Sequence, residues 1–324
     1  MDERAYIERS FGVRLQFCFW DQWPTIKSET AARTDIVMLQ PFFDVTADEF
    51  GAVVDFFREA NPAVQFIVFD YSAPTDLRLG PIVHDAATVF VKKHKLVDDA
   101  VYARPTRGDT HLADAYAKIY DLDLPVKHYP LPDRFLDKVV TGPTFYTEYF
   151  LSRSLLEQTA DIVGVERPID VHARLAGGGS PLYSAIRDHA IDSVKTIDAP
   201  AVLTAFPVST EQFNRELAQS KICFSPFGHG EICWRDVEAI ASGALLVKPD
   251  VSHIALDPPF LVAGETYAAV EWDYSDLADV VARYLADQEA REAMARRAFE
   301  ALQSYLRERR YETHLKTVFD SIGG

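Results

Sequence analysis

The stretch SPFGHGEICWRDVEAIASGALLVKPD, residues 225–250, decides how the chain reads. It follows the apolar run KICF at 221–224 and closes on a second, ALLV at 244–247. The pattern predicts a strand, a Gly-His-Gly loop at 228–230, a helix closed by Gly243 and a further strand, the β-α-β unit of a parallel sheet. Gly228 and Gly230 allow the main chain to approach a ligand closely, and the following helix turns its positive N-terminal dipole toward an anion such as a diphosphate. Glu231 and Glu238 lie seven residues apart, so on one helix they return to nearly the same face two turns along. Carboxylates accept paired hydrogen bonds from vicinal diols, and one acid at the mouth with one deeper suits two sugar rings. Arg235 is placed to pair with Glu231 or with a phosphate. The same residues also read as a Gly-rich turn before an ordinary amphipathic helix with a surface ion pair.

Working backward from this stretch, IDVHARL (169–175) reads as a strand, AGGGS (176–180) as a Gly-rich turn, and the segment from Pro181 as a helix with proline in its first turn. AVLTAFPVS (201–209) gives a strand and loop, followed by a helix opened by Ser209 or Thr210. Beyond Trp272 the chain ends in polar helices. The first half shows a similar alternation. VRLQFCF (13–19) and TDIVMLQPFF (34–43) read as strands, and Thr46 with Glu49 forms a capping box for a helix running to about Ala60. VQFIVFD (64–70) and ATVFVKK (87–93) are further strands, and HLADAYAKIYD (111–121) reads as a surface helix. Pro125, Pro130, Pro132 and Pro143 break regular structure before a stretch, 144–160, that reads either as a helix crossing between domains or as a core helix of the first. The expected division is 1–160 and 161–324, two α/β units of Rossmann-like type.

The 324 residues carry 48% hydrophobic and 25% charged residues, which excludes a disordered or collagen-like chain. With 33 Lys and Arg against 49 Asp and Glu, the net charge of −16 repels a nucleic-acid backbone, so no nucleic-acid partner is expected. The apolar runs fall well short of the roughly 20 residues that cross a bilayer, and the N-terminus is too charged for a secretory signal, so a cytoplasmic protein is expected. Cys18, Cys223 and Cys233 have no CxxC spacing and suggest neither a disulfide framework nor a structural zinc site.

Residues 165–265 resemble the C-terminal half of GT-B glycosyltransferases, especially the group-1 and exostosin-like kinds. The likeness is carried by KICFSPFG, the Glu231/Glu238 pair, EAIASGALLV and the AFPVS loop with its following helix. It implies two Rossmann-like domains facing a cleft, with a nucleotide-sugar held by the second. By the same resemblance Glu238 holds the ribose, Glu231 the donor hexose, and the loop from Phe206 through Val208 to Ser209 the base. The family spaces its two acids one residue further apart, so Gly230 stands at the usual place of the first. That makes the Gly230 amide and His229 candidates for the same task. Arg174, or Arg187 in the next helix, with Gly177 and Gly178 in the turn, would meet the leaving nucleoside diphosphate, whose developing charge a metal-independent transferase must stabilise.

The acceptor side carries less signal. Asp70 and Asp21 at strand ends, with Asp76, His84 and His111, are candidate bases, and Trp20 to Trp23 offers aromatic faces for a sugar. No convincing DxD triplet or i, i+4 histidine pair appears, so neither a metal nor another cofactor is expected. Lys248 after ALLV is a further candidate for meeting the diphosphate, and reads more simply as an exposed strand-end lysine. The arginines of the last helices, Arg296, Arg297, Arg307, Arg309 and Arg310, offer peripheral contact with anionic lipid or a solvated face. The expected function is metal-independent transfer of a sugar from a nucleotide-diphosphate donor to a glycan, lipid-linked or small-molecule acceptor. A nucleotide-sugar epimerase of the same fold and a non-catalytic nucleotide-sugar or glycan-binding subunit are the alternatives.

Overall fold

The computed structural model describes residue 8, residues 12–142 and residues 149–322. Apolar runs that are buried on both faces set its frame, as parallel strands covered by helices require. In the first half, β1 (Ile36–Leu39) is followed by α1 (Ala47–Ala60), β2 (Gln65–Asp70), β3 (Ala87–Lys92), the short β4 (Lys95–Leu96), α2 (His111–Ile119) and β5 (Val139–Thr141). The strands β1, β2, β3 and β5 form one parallel sheet in that order. Thr46 caps α1 as expected: its hydroxyl accepts from the Glu49 amide at 3.2 Å while the Glu49 carboxylate accepts from the Thr46 amide at 2.9 Å.

The second half runs α3 (Tyr149–Glu157), β6 (Ile169–His172), α4 (Pro181–Val194), β7 (Val202–Leu203), α5 (Thr210–Ala218), β8 (Ser220–Phe224), α6 (Trp234–Ser242), β9 (Leu245–Pro249), β10 (Ile254–Ala255) and β11 (Ala268–Val270). It closes with α7 (Leu277–Ala286), α8 (Gln288–Arg307) and α9 (Arg310–Asp320). Its sheet is parallel, in the order β11-β9-β8-β6-β7. The chain builds outward from β6 to β7 and then reverses to β8, so the topological switch lies between β6 and β8. In open α/β sheets that is where ligands bind, beyond the carboxyl ends of the strands.

Four expectations are corrected. Residues 13–19 form no strand: of their apolar positions only Leu15 is buried, Phe17 and Phe19 stand exposed, and the alternation finds no neighbouring strand to pair with. The run over 34–43 yields strand only at 36–39, with Pro41 close behind. The helix over 111–121 is no surface helix, because Leu112, Ala113 and Tyr116 are buried in the core of the second half with Leu182, Ile186, Phe227 and Ile232. Finally, α3 packs on α6 and α8 with Leu155 fully buried, so this helix completes the second core rather than the first. Pro143 and residues 144–148 lie outside the described residues, as does most of the charged N-terminal stretch.

The halves are therefore interlocked. β4 pairs antiparallel with β10, and the Val97 amide donates to the His253 carbonyl at 2.9 Å. Tyr116 and Tyr274 join their hydroxyls at 3.1 Å, and Val318 and Ile322 at the chain's end return to pack on Ile67, Val89 and Val91 of the first sheet. Among the described residues no helix is long and apolar enough to cross a membrane. Tyr116→Ala is expected to cost roughly 3 to 5 kcal/mol of stability, as for a buried aromatic, where a surface helix would lose little. Urea denaturation followed by circular dichroism measures this, and a loss well under 1 kcal/mol would contradict the docking of α2.

Candidate active site

The loop after β8 and the segment after β6 meet at the switch point, where Tyr183 donates to the His229 carbonyl and Arg235 to the Arg174 carbonyl, and this brings most of the expected donor-side residues together. Beneath it, β9 carries a buried lysine one residue from its end. Lys248 on β9 is fully buried, against the expectation of an exposed strand end. Its ammonium is paired with the equally buried Asp236 and donates to the Glu231 carbonyl at 2.7 Å. Asp236 also accepts from the Ser225 hydroxyl at 2.6 Å and the Cys233 amide at 3.1 Å. A buried charge is tolerated only when paired and hydrogen-bonded, and here that requirement ties β8, β9, the 225–233 loop and the first turn of α6 to one another. The start of α6 thus faces a carboxylate of the chain itself.

Because α6 begins at Trp234, Glu231 sits in the loop before it, and the helical pairing with Glu238 does not form. Glu231 is 1% exposed, and among the described residues neither of its carboxylate oxygens has a hydrogen-bond partner. His253 Nε2 approaches one of these oxygens at 3.7 Å. The Glu231 charge acts on Tyr102, His111 and Tyr116 and on Tyr183 of α4. Glu238 is half-buried on the second turn of α6.

Gly230 is required by close approach. A Cβ there would lie 2.3 Å from the Ala73 carbonyl of the loop after β2. The neighbouring Gly228 amide donates to the Gly230 carbonyl at 3.1 Å, turning the loop in on itself. His229 projects outward, with Tyr183 edge-on to its ring at 4.6 Å and donating to its carbonyl at 3.2 Å. Gly177 and Gly178 are exposed in the turn after β6, Gly178 with φ of +83°, and Arg187 reaches the Gly178 carbonyl at 2.6 Å. Phe206 is exposed and Val208 half-buried.

The arginines divide. Arg174 is buried and held by both carboxylate oxygens of Glu216 at 2.9 Å and by the Ala205 carbonyl. Arg235 does not reach Glu231. It donates to the Arg174 carbonyl at 3.1 Å, lies over the Phe213 ring, and leaves its buried Nε without a partner among the described residues.

On the first half, Asp70 is buried, paired with Lys92 at 2.7 Å, and accepts from the Ser72 amide and hydroxyl. Asp76 takes two hydrogen bonds from the Arg78 guanidinium, at 2.7 and 2.8 Å, and a third from the Arg78 amide at 3.1 Å. Burial works to raise its pKa, and the Arg78 bonds outweigh it, so the carboxyl stays below its ordinary value. His111 lies 3.4 Å from the Thr75 hydroxyl, and burial lowers its pKa despite the nearby Asp76 and Glu231. His94, fully buried, bonds the Ala73 carbonyl at 2.9 Å; burial, with Lys93 beside it, lowers its pKa to about 3, so the ring is neutral and its Nδ1–H is the donor. His84 lies away from this group, against Phe135, while Asp21 is exposed and Trp20 and Trp23 pack on the first core.

Sequence reasoning missed Asp236, Lys92, His94 and His253. A signal was present for the lysines: FVK at 90–92 and LVK at 246–248 place a charge inside an apolar run, which in a doubly covered sheet demands a partner.

Residues 164–319 match the family model described as glycosyl transferase-like. None of the curated protein sequences compared matches the chain. Among solved structures the chain aligns over 97% of its length with 88% of HepE from Anabaena, solved with UDP-glucose, at 9% identity and a TM-score of 0.48. It aligns over 94% with 58% of TarM from S. aureus, solved with UDP and α-GlcNAc-glycerol, at 10% identity and a TM-score of 0.50. Sucrose-phosphate synthase from Thermosynechococcus elongatus aligns over 89% of this chain and 73% of its own, at 11% identity and a TM-score of 0.47. The likeness to TarM shows the fold, two α/β units facing a cleft in the GT-B manner.

The Lys248–Asp236 pair predicts a coupled energetic signature. Lys248→Met strands a buried carboxylate and is expected to cost about 3 to 5 kcal/mol. Adding Asp236→Asn removes that charge and should recover most of the loss, because the amide keeps hydrogen-bonding capacity toward Ser225 or Cys233. Denaturant titrations of the two single variants and the double variant decide it, and simply additive losses would contradict the coupling.

Proposed function

We propose that this chain, which matches the glycosyl transferase-like family over residues 164–319 and folds in the GT-B manner, is a glycosyltransferase that moves a sugar from a nucleoside-diphosphate donor to a glycan or glycoconjugate acceptor. The observation that carries this reading is Glu231, a buried carboxylate at the switch-point crevice whose two oxygens have no hydrogen-bond partner among the described residues. Such a group costs several kcal/mol unless a ligand completes it, and sugar hydroxyls are suited donors. UDP-glucose stands in the HepE structure and UDP in that of TarM, which supports a nucleotide-sugar as the donor class here.

In this arrangement the donor lies across the ends of β6 and β8. Glu238 takes the ribose hydroxyls, Glu231 the transferred sugar, and exposed Phe206 offers a face to the base. Arg187 beside the Gly-rich turn and the unpartnered Nε of Arg235 neutralise charge that develops on the departing diphosphate, without a metal. Arg174, engaged by Glu216, positions the turn rather than meeting the phosphates. The acceptor approaches from the first half, past the Asp76–Arg78 pair and His111. The Ala73–Gly230 contact brings the two sides together and keeps water from the reacting carbon. A cytoplasmic site of action fits a nucleotide-sugar donor.

The test is a nucleotide-binding screen by thermal shift and calorimetry across nucleoside diphosphates and their sugars, with and without a chelator. One nucleoside diphosphate should bind selectively, with affinity unchanged by the chelator. Glu238→Ala should weaken it by about 1.5 to 3 kcal/mol, roughly ten- to a hundredfold in Kd, through loss of charged hydrogen bonds. Unchanged nucleotide affinity in that variant would remove the ribose assignment, and loss of binding in the chelator would overturn metal independence.

A further inference from the structure

A second cavity, of about 230 Å³, opens at the opposite end of the second sheet. It is lined by Lys221 and Leu245, which stand at the starts of β8 and β9, whereas the donor crevice lies beyond their ends. Lys221 precedes Ser225 by four residues of strand, roughly 13 Å at about 3.3 Å per residue. The two openings are separate.

The cavity holds an unusual charge arrangement. Arg167 and Arg291 both line it, and each is only 7% exposed. Among the described residues neither guanidinium is bonded to a carboxylate. Arg167 donates four hydrogen bonds to the carbonyls of Ile162, Ala218, Ser220 and Ser242, and its buried Nε is left without a partner. Arg291 donates to the Tyr284 carbonyl at 2.9 Å. Main-chain carbonyls satisfy donors but do not neutralise charge. Burial, reinforced by the mutual repulsion of the two groups, lowers the pKa of Arg167, and burial lowers that of Arg291. Two buried like charges side by side are unfavourable unless an anion joins them.

The surroundings supply the rest of an anion site. α8 is twenty residues long and starts at this cavity, with Gln288 and Arg291 of its first turn among the lining residues. Its N-terminal dipole adds to the two guanidinium charges. Lys221 stands at the side, paired with Asp170 at 2.6 Å. The acids that also line the cavity, Glu166 and Glu292, are exposed and half-exposed, and Glu292 acts through space on both guanidiniums without an ion pair to either among the described residues. Glu292, Asp170 and Asp287 act on Arg291 through space without forming an ion pair with it.

We infer that this cavity is a binding site for a phosphate group, either the free ion or the phosphate of a small phosphorylated metabolite, held between Arg167 and Arg291 at the start of α8. The inference stands apart from the transferase reading, because none of these residues borders the donor crevice.

The experiment measures thermal shift and calorimetric affinity for inorganic phosphate and for glycerol 3-phosphate, against chloride at equal ionic strength. The variants are Arg291→Gln, Gln288→Glu and Glu238→Ala. Gln288 is exposed, so its replacement leaves the fold intact while placing a negative charge at the mouth. Phosphate should stabilise the wild type and Glu238→Ala alike, and both cavity variants should bind it at least about tenfold more weakly. Tighter binding of glycerol 3-phosphate than of inorganic phosphate assigns the site to an esterified phosphate, and the reverse assigns it to the free ion. Absence of binding in the wild type, or binding lost in Glu238→Ala and retained in both cavity variants, would overturn the inference.

Discussion

A lysine that cannot leave the core organises the donor side of this molecule. Lys248 comes at the end of a strand covered on both faces, where an ammonium is tolerated only with a partner. Asp236 provides it from the first turn of α6, and the remaining bonds of the pair reach Ser225, Cys233 and the Glu231 carbonyl. The 225–233 loop is thereby fixed at both ends by the same two charges. Glu231 then has little freedom to turn its carboxylate away, and it stays buried with both oxygens unpartnered among the described residues. An analogous pair, Lys92 with Asp70, secures the strand ends of the first sheet beneath the facing loop. The junction rests on these two pairs and on the Ala73–Gly230 contact above them.

The α/β pattern was legible because both its signals are local. Apolar runs at 66–68, 89–91, 222–224 and 245–247 have the composition of doubly covered parallel strands, and Thr46–Glu49, Pro181, Ser209 and Gly243 mark helix ends by their own chemistry. What failed were readings that depend on a distant partner. VRLQFCF alternates like a strand, yet no neighbour offers it a ladder. α2 has the apolar stripe of any amphipathic helix, and nothing in that stripe says which core will cover it. The return of the last helix to the first sheet is equally invisible, since Val318 and Ile322 are two apolar residues in a polar stretch.

The candidate site was legible as a neighbourhood more than as a set of contacts. The Gly-rich turn after β6 and the loop after β8 do converge, because topology places both at the switch point. The helical pairing of Glu231 with Glu238 did not survive, since Asp236, unremarked beside two glutamates, sets the start of α6 later than the spacing suggested. Arg174 looked available from its place at a strand end, but Glu216, two turns into α5, holds it. The Arg174–Glu216 pairing joins residues 42 positions apart, and one sequence carries no mark of it.

The central claim is that Glu231 is left unsatisfied in order to hold the transferred sugar. Its most direct measurement is the calorimetric affinity of wild type and Glu231→Gln for a nucleoside diphosphate and for the matching nucleotide-sugar. The account predicts that the wild type prefers the nucleotide-sugar and that Glu231→Gln loses this preference while keeping its affinity for the bare diphosphate. Equal loss of affinity for both ligands, or an undiminished preference for the sugar, would contradict it.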